Sequence, residues 1–300
     1  MNTNRKILEG VSLVVTLYNE AETLNDFLTS IKKQTVYPQE FVIVDGGSTD
    51  GATEIIKEFS RKNPELKIKL IVDVTCARKY SKAPIAKGRN QAIKNAKGYI
   101  IAVTDAGCIL DKDWLKEITG PFFENEVVDV VGGYYKAIIK NKFQRRLSKL
   151  MIPKLEKINP KKFLPSSRSV AFKKSCWESV GGYPELTYTA EDTLFDLKLR
   201  SIGCKFIFNP KAVVYWELPK DYKELWRKVY LYGYGNGELG LFLIKHFFKI
   251  GLIFFPLPLV FLQKEEVVLK YIITTASSLG WISGFVKRVR KNFYALYKKI

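Results

Sequence analysis

The sequence predicts an α/β fold, a mostly parallel sheet with helices on both faces, followed by a C-terminal hydrophobic helical tail. Short runs of β-branched and apolar residues alternate with segments whose apolar residues fall on one helical face, which is the pattern of strands joined by right-handed crossovers. Several of the runs end on polar or glycine-rich turns, where an open sheet of this kind binds its ligands. Beyond residue 240 the alternation gives way to apolar runs flanked by basic residues, so the expected division is a domain over 1–240 and a membrane-associated helical tail over 241–300.

Val11–Leu17 (VSLVVTL) reads as a buried strand, and Asn19 and Glu20 open a helix whose Leu24, Phe27, Leu28 and Ile31 share a face. Phe41–Val44 is a second strand. It runs into Asp45-Gly46-Gly47-Ser48-Thr49-Asp50, where two glycines permit a tight turn and close backbone approach to a ligand, and Ser48, Thr49 or Asp50 supplies a helix cap. Ile68–Val72 repeats the strand and Gly88–Ala96 the helix. The stretch YIIAVTDAGC, Tyr99 to Cys108, is a strand that delivers Asp105 to its carboxyl end. Two readings of that acid stand side by side: a ligand-facing carboxylate in the crevice, or an acid that starts the next turn through bonds to its own backbone.

After Phe123 the alternation weakens. Val127–Ala137 reads as an extended strand. Ile138–Ile152 reads as a basic amphipathic helix, with Ile139, Phe143, Leu147 and Leu150 on one side and Lys140, Lys142, Arg145, Arg146 and Lys149 around the rest. Such a helix lies in a lipid headgroup layer or packs on the domain surface. Pro165-Ser166-Ser167-Arg168 is a polar loop before a short strand, and Gly181–Pro184 is a turn. Thr189-Ala190-Glu191-Asp192 then opens a helix, so both acids fall in its first turn, where the dipole favours carboxylates whether or not they do chemistry.

In the tail, Ile250–Leu262 is continuously apolar but short for a membrane span. Val267–Val286 carries Ala276, Gly280 and Gly284 at every fourth position, a spacing that lets helices approach closely in a bilayer. Lys287, Arg288, Arg290 and Lys291 follow, a flank that favours the cytoplasmic face and anionic lipid. The expected arrangement is a short hairpin or interfacial anchor, with a buried helical pair as the alternative.

With 47% hydrophobic residues the chain has enough apolar surface for a core, and a formal charge of +19 asks for a polyanionic partner. No nucleic-acid-binding module is present and the basic residues gather around apolar helices, so an anionic membrane and phosphorylated substrates are favoured over nucleic acid. Four scattered cysteines and the lone His246 indicate neither a zinc site nor a disulfide framework, which fits a reducing compartment. Met1–Gly10 lacks an apolar signal core, so the catalytic part is expected on the cytoplasmic side.

Taken in order, Thr16-Leu17-Tyr18-Asn19-Glu20, Val44–Gly51, Gly88-Arg89-Asn90, Thr104-Asp105 and Glu191-Asp192 resemble the motifs of the family 2 glycosyltransferases over roughly Val11–Gly240. The resemblance implies a GT-A fold and sugar transfer with inversion from a nucleotide diphosphate donor. It places Thr16, Glu20 and Asp45 around the nucleobase and ribose, Arg89 near the diphosphate, and Asp105 at the first acid of the metal-binding DxD. Asp192 matches the general base, and Glu191 is expected to orient it.

Two departures bear on the expected Mg²⁺ or Mn²⁺. Gly107 stands where the second acid of the DxD would be, and Trp216 and Glu217 stand where relatives often carry a histidine that completes the metal site. Gly46 also replaces an acid found in many relatives, which leaves the donor's base open. The expected acceptor is a hydroxyl of a lipid-linked or cell-surface glycan. A polyprenyl phosphate is the alternative, disfavoured because an ionised phosphate needs no base; a catalytically inactive sugar- or nucleotide-binding relative is another.

Overall fold

The structure, a computed structural model, describes residues 5–254 and 264–297. Eight strands, β1 (Lys6–Leu17), β2 (Val36–Asp45), β3 (Ile68–Val72), β4 (Ile100–Val103), β5 (Cys108–Leu110), β6 (Val130–Ile138), β7 (Val170–Lys173) and β8 (Phe206–Glu217), form one sheet in the order β3-β2-β1-β4-β7-β6-β8-β5. The helices are α1 (Ala21–Lys32), α2 (Ala52–Lys62), α3 (Pro84–Asn95), α4 (Trp114–Glu124), α5 (Lys142–Met151), α6 (Lys174–Ser179), α7 (Glu191–Ser201), α8 (Tyr222–Leu239), α9 (Leu243–Phe254) and α10 (Lys264–Tyr297).

The expected mostly parallel sheet is corrected to a mixed one. β1 pairs in parallel with β2 and β4, and β2 with β3, as the crossover pattern requires. β7, however, runs antiparallel to both β4 and β6, and β5 antiparallel to β8. The polar loop 165–168 delivers the chain to the end at which β4 finishes, so β7 runs back along β4; parallel pairing would have required a crossover to the other end.

Two compact units emerge, and they interleave along the chain. One comprises Met1–Ala137, Lys154–Glu185 and Asp192–Glu217, the other Ile138–Pro153, Leu186–Glu191 and Leu218–Ile300. In the first, Val14, Val42, Val44, Ile101, Val103 and Phe172 belong to a core that also takes in Tyr183 and Phe195, whose rings stack 4.1 Å apart. Burial of these strands on both faces explains why their sequences are runs rather than alternations.

In the second unit, α8 and α10 pack backbone against backbone. A Cβ on Gly233 or Gly237 would meet the carbonyl oxygens of Ser277 or Trp281 at 2.1 and 2.0 Å; one on Gly280 or Gly284 would meet those of Tyr230 or Tyr234 at 2.1 Å. The stripe Ala276, Gly280, Gly284 therefore seats α8, the buried-pair alternative of the sequence. Part of the basic flank pairs with α8: Lys287, though exposed, with Glu238 at 2.8 Å, while Arg288 donates to the Leu239 carbonyl. Among the described residues, no helix is long and apolar enough to cross a membrane. The apolar run Ile250–Leu262 lies outside the described residues from position 255 onward.

Candidate active site

The carboxyl ends of β1, β2 and β4 lie side by side and bring the first site residues together. Register pairs Leu17 with Asp45, and the loops that follow are tied to each other: Asn19 N–H donates to Ser48 Oγ, Thr49 N–H to Asn19 Oδ1, and Ala21 N–H to Asp50 Oδ2, all at 2.8 Å. Asn19 sits at φ 55°, a left-handed position that a short polar side chain tolerates. Asp50 also accepts from Ala52 N–H, so one acid serves the starts of both α1 and α2.

Asp45 is fully buried. Its Oδ1 accepts from Ser48 N–H at 2.9 Å and Ser48 Oγ at 2.7 Å, and its Oδ2 from the Thr53 hydroxyl. Both oxygens thus hold the glycine-containing loop in place, so the carboxylate shapes the floor on which the resemblance would set the base and ribose.

Thr16 fixes the approach of α3. A Cβ on Gly88 would fall 2.0 Å from Thr16 Oγ1, so only glycine lets the helix come this close to β1. The next residue, Arg89, is carried to the end of β4, where its Nη2 donates to Asp105 Oδ1 at 2.7 Å. The guanidinium side chain is only 4% exposed while Asp105 is 35% exposed, so a buried cation meets an acid open to the crevice. Arg89 also lies 5.4 Å from the centre of the Tyr183 ring.

Asn90 holds the turn that carries Tyr183. Its Nδ2 donates to the Tyr183 carbonyl and to Glu185 Oε1, each at 2.8 Å, and its Oδ1 accepts from Tyr183 N–H at 2.8 Å and Trp177 Nε1 at 3.1 Å. Those four bonds are the full capacity of an amide side chain. Burial holds the Tyr183 phenol well above its ordinary range; Arg89 and Ser167 pull it down, and Asp196 and Asp192 push it further up. Asp192 lies in the first turn of α7, its Oδ1 accepting from Thr193 N–H at 2.8 Å. Ala190, just before the helix, takes the left-handed φ of 67°. Glu191 is buried and closes the segment 186–191, which Thr189 fastens to α8 by donating from Oγ1 to the Leu231 carbonyl at 2.7 Å.

The structure adds Arg168, which the sequence places in a polar loop. Its Nε stands 3.9 Å from Asp105 Oδ2, its Nη1 donates to Ser166 Oγ at 2.9 Å, and its guanidinium lies 4.1 Å over the Trp216 ring. Trp216 is opposite Cys108 on β5. Thus Asp105 is flanked by two arginines. As metal ligands the residues present supply oxygen donors suited to a hard cation: Asp105, and Glu20, whose Oε2 lies 3.9 Å from where a Cβ on Gly107 would stand. With so few protein oxygens, such a cation would take its remaining ligands from diphosphate and water.

A second cluster lies on Asp129, Cys176 and Cys204, whose ligand atoms are within 4.8 Å of one another. Asp129 is engaged by Lys173 Nζ at 3.1 Å and Lys205 N–H at 2.9 Å. Burial pushes the Cys176 thiol up to about 12, which opposes the thiolate a metal needs.

The model of glycosyl transferase family 2 matches residues 12–175. The chain is 28% identical over 247 residues to a poly-beta-1,6-N-acetyl-D-glucosamine synthase of Staphylococcus epidermidis, covering 77% of this chain and 56% of that one. It is 26% identical over 234 residues to glycosyltransferase AglE of Haloferax volcanii, covering 76% and 73%. It therefore spans little more than half the length of the first of these relatives. Among solved structures, the mannosyltransferase PcManGT from Pyrobaculum calidifontis, in complex with GDP-Man and Mn²⁺, has a TM-score of 0.56 at 18% identity, covering 91% and 72%. S. aureus TarS 1–349, in complex with UDP-GlcNAc, has a TM-score of 0.56 at 17% identity, covering 94% and 92%. At such identities these two show a shared fold, a GT-A-like mixed sheet.

Proposed function

Because the chain belongs to glycosyl transferase family 2, we propose that it transfers a sugar, with inversion, from a nucleotide diphosphate donor to a hydroxyl of a lipid-linked or cell-surface glycan. The observation that carries the proposal is the meeting of Arg89 and Asp105 at the carboxyl end of β4, beside loops locked between β1 and β2. The nucleoside lies on the loops bearing Thr16, Glu20 and Asp45, and Arg89 gives charge-assisted bonds to the diphosphate. Asp105, with Glu20 near Gly107, would hold Mg²⁺ or Mn²⁺, which offsets charge building on the leaving diphosphate.

Asp192 takes the proton of the acceptor hydroxyl as its oxygen forms the new bond to the anomeric carbon, while the bond to the diphosphate oxygen breaks on the opposite face. Glu191 orients Asp192. Competence of the acid pair separates this reading from a sugar-binding relative without activity. A thermal-shift panel of nucleotide sugars, with and without Mn²⁺, followed by transfer assays on the donor that raises the melting temperature, tests it. Stabilisation by a donor with sugar transfer supports the proposal; stabilisation by none contradicts it.

The same reading places the protein at the cytoplasmic surface of an anionic membrane. Supporting it, α9 exposes Leu243, Ile244, Phe247 and Phe248, the last three about 70% open to solvent, next to Lys245. In addition, α5 carries Lys142, Arg145, Arg146 and Lys149 on a short amphipathic helix. Apolar side chains beside cations suit a headgroup layer. Cosedimentation with phosphatidylglycerol vesicles but not with phosphatidylcholine vesicles is expected, and Phe247→Ser with Phe248→Ser should abolish it; binding unaffected by both changes would contradict this placement.

A further inference from the structure

We propose that Arg168 is a second diphosphate-binding residue, which stacks on Trp216 and closes on the donor's diphosphate from the side opposite Arg89. The inference rests on the donor reading above and deepens it. It begins with strand register. β4 and β7 pair antiparallel, with Val103 opposite Val170, and continuing that ladder two residues brings Arg168 opposite Asp105. Beyond the paired residues a side chain ties the two segments, since Thr104 Oγ1 donates to the Arg168 carbonyl at 2.8 Å. Residue 168 lies in the turn before β7, and this bond holds its backbone beside the end of β4.

Its side chain is fixed as well. The ring of Trp216 carries the guanidinium at 4.1 Å, the Tyr135 ring stands 5.9 Å away, and Ser166 accepts from Nη1. An aromatic face beneath the guanidinium fixes the plane of its fork, the geometry suited to phosphate oxygens. Its Nε stands 3.9 Å from Asp105 Oδ2, with the side chain 19% exposed. Two guanidiniums thus converge on one carboxylate, in the crevice where the donor reading sets the diphosphate. The resemblance sets a metal-completing histidine near Trp216; here an indole stands there and supports a cation of the protein's own.

When the bond between the anomeric carbon and the diphosphate breaks, its electron pair passes to the phosphate oxygen. Arg168 and Arg89 stabilise that added charge from fixed positions, without reorganisation of solvent.

Titration calorimetry of the full chain with UDP and UMP, and with GDP and GMP, in Mn²⁺ and in EDTA, tests the inference on wild type, Arg168→Gln and Arg168→Lys. Wild type is expected to prefer the diphosphate. Arg168→Gln should weaken diphosphate binding about 10- to 100-fold, the loss of charge-assisted bonds, and leave the monophosphate much less affected. Arg168→Lys, which keeps the charge and loses the fork, should fall between. Should Arg168→Gln not fold by thermal melting, the Lys variant alone must still narrow the preference for the diphosphate. Equal losses on both ligands, or none on the diphosphate, would overturn the role of Arg168 and leave the proposed function standing. Absence of nucleotide binding by wild type would contradict both.

Discussion

Arg89 donates from Nη2 to Asp105 Oδ1 at 2.7 Å, joining a buried guanidinium on α3 to a half-open carboxylate at the end of β4. Asp105→Asn removes the charge that Arg89 faces while keeping the shape. The variant should lose about 1–3 kcal/mol of stability in urea titration, since a buried cation loses a charged partner, and should weaken metal-dependent donor binding at the same time. Unchanged donor affinity in Mn²⁺ would remove Asp105 from the donor site.

Asn90 uses every hydrogen-bonding position of its amide on the turn that carries Tyr183. Asn90→Ala strands the buried Trp177 Nε1 and the Tyr183 backbone groups, so urea unfolding should show a loss of about 2–4 kcal/mol. A loss under about 0.5 kcal/mol, the size typical of surface changes, would mean that the turn does not depend on this amide.

Several parts of this arrangement were legible in the sequence. Parallel strands followed from the alternation of apolar runs and helical faces, and the placement of Asp105 at a strand end followed from the run that precedes it. Arg168 was not legible, because its meeting with Asp105 depends on antiparallel register between strands some 70 positions apart, and nothing local in Ser166-Ser167-Arg168 encodes a partner. β5 is three residues long and shows no period of its own. The small-residue stripe on α10 marks a close-approach face, but small residues at every fourth position do not say whether lipid or protein surrounds the pair.

Close approach of α8 and α10 yields a direct prediction. Gly237→Ala puts a methyl 2.0 Å from the Trp281 carbonyl oxygen and should destabilise the helical pair by about 1–3 kcal/mol. Gly251→Ala, on α9, is exposed, meets nothing within 4 Å and should be neutral or stabilising by up to about 1 kcal/mol. Thermal unfolding of both variants measures the contrast; equal effects would mean that the glycines of α8 are dispensable.

Asp196 is buried on α7, and its Oδ2 has no hydrogen-bond partner. Burial first, and then the charge of Asp192, hold its carboxyl far above the usual carboxylate range, with Arg200 opposing. The folded state therefore keeps a proton that the unfolded chain releases, so stability falls as pH rises above the unfolded pKa of about 4 and continues to fall up to the folded one. Asp196→Asn removes this dependence. Its stability advantage over wild type should grow with pH through that window by at most about 1.4 kcal/mol per pH unit. A pH-independent difference in urea denaturation would contradict a neutral Asp196.

Asp192 carries the central claim, and steady-state transfer together with donor affinity for Asp192→Asn tests it most directly. Asparagine preserves the shape and a side-chain oxygen for Thr193 N–H, as a capping role alone would need, and cannot accept the acceptor's proton. A base that acts mainly in the transition state should lower turnover by about 10²- to 10⁴-fold and leave donor affinity nearly intact. Near-normal turnover by Asp192→Asn would contradict the account.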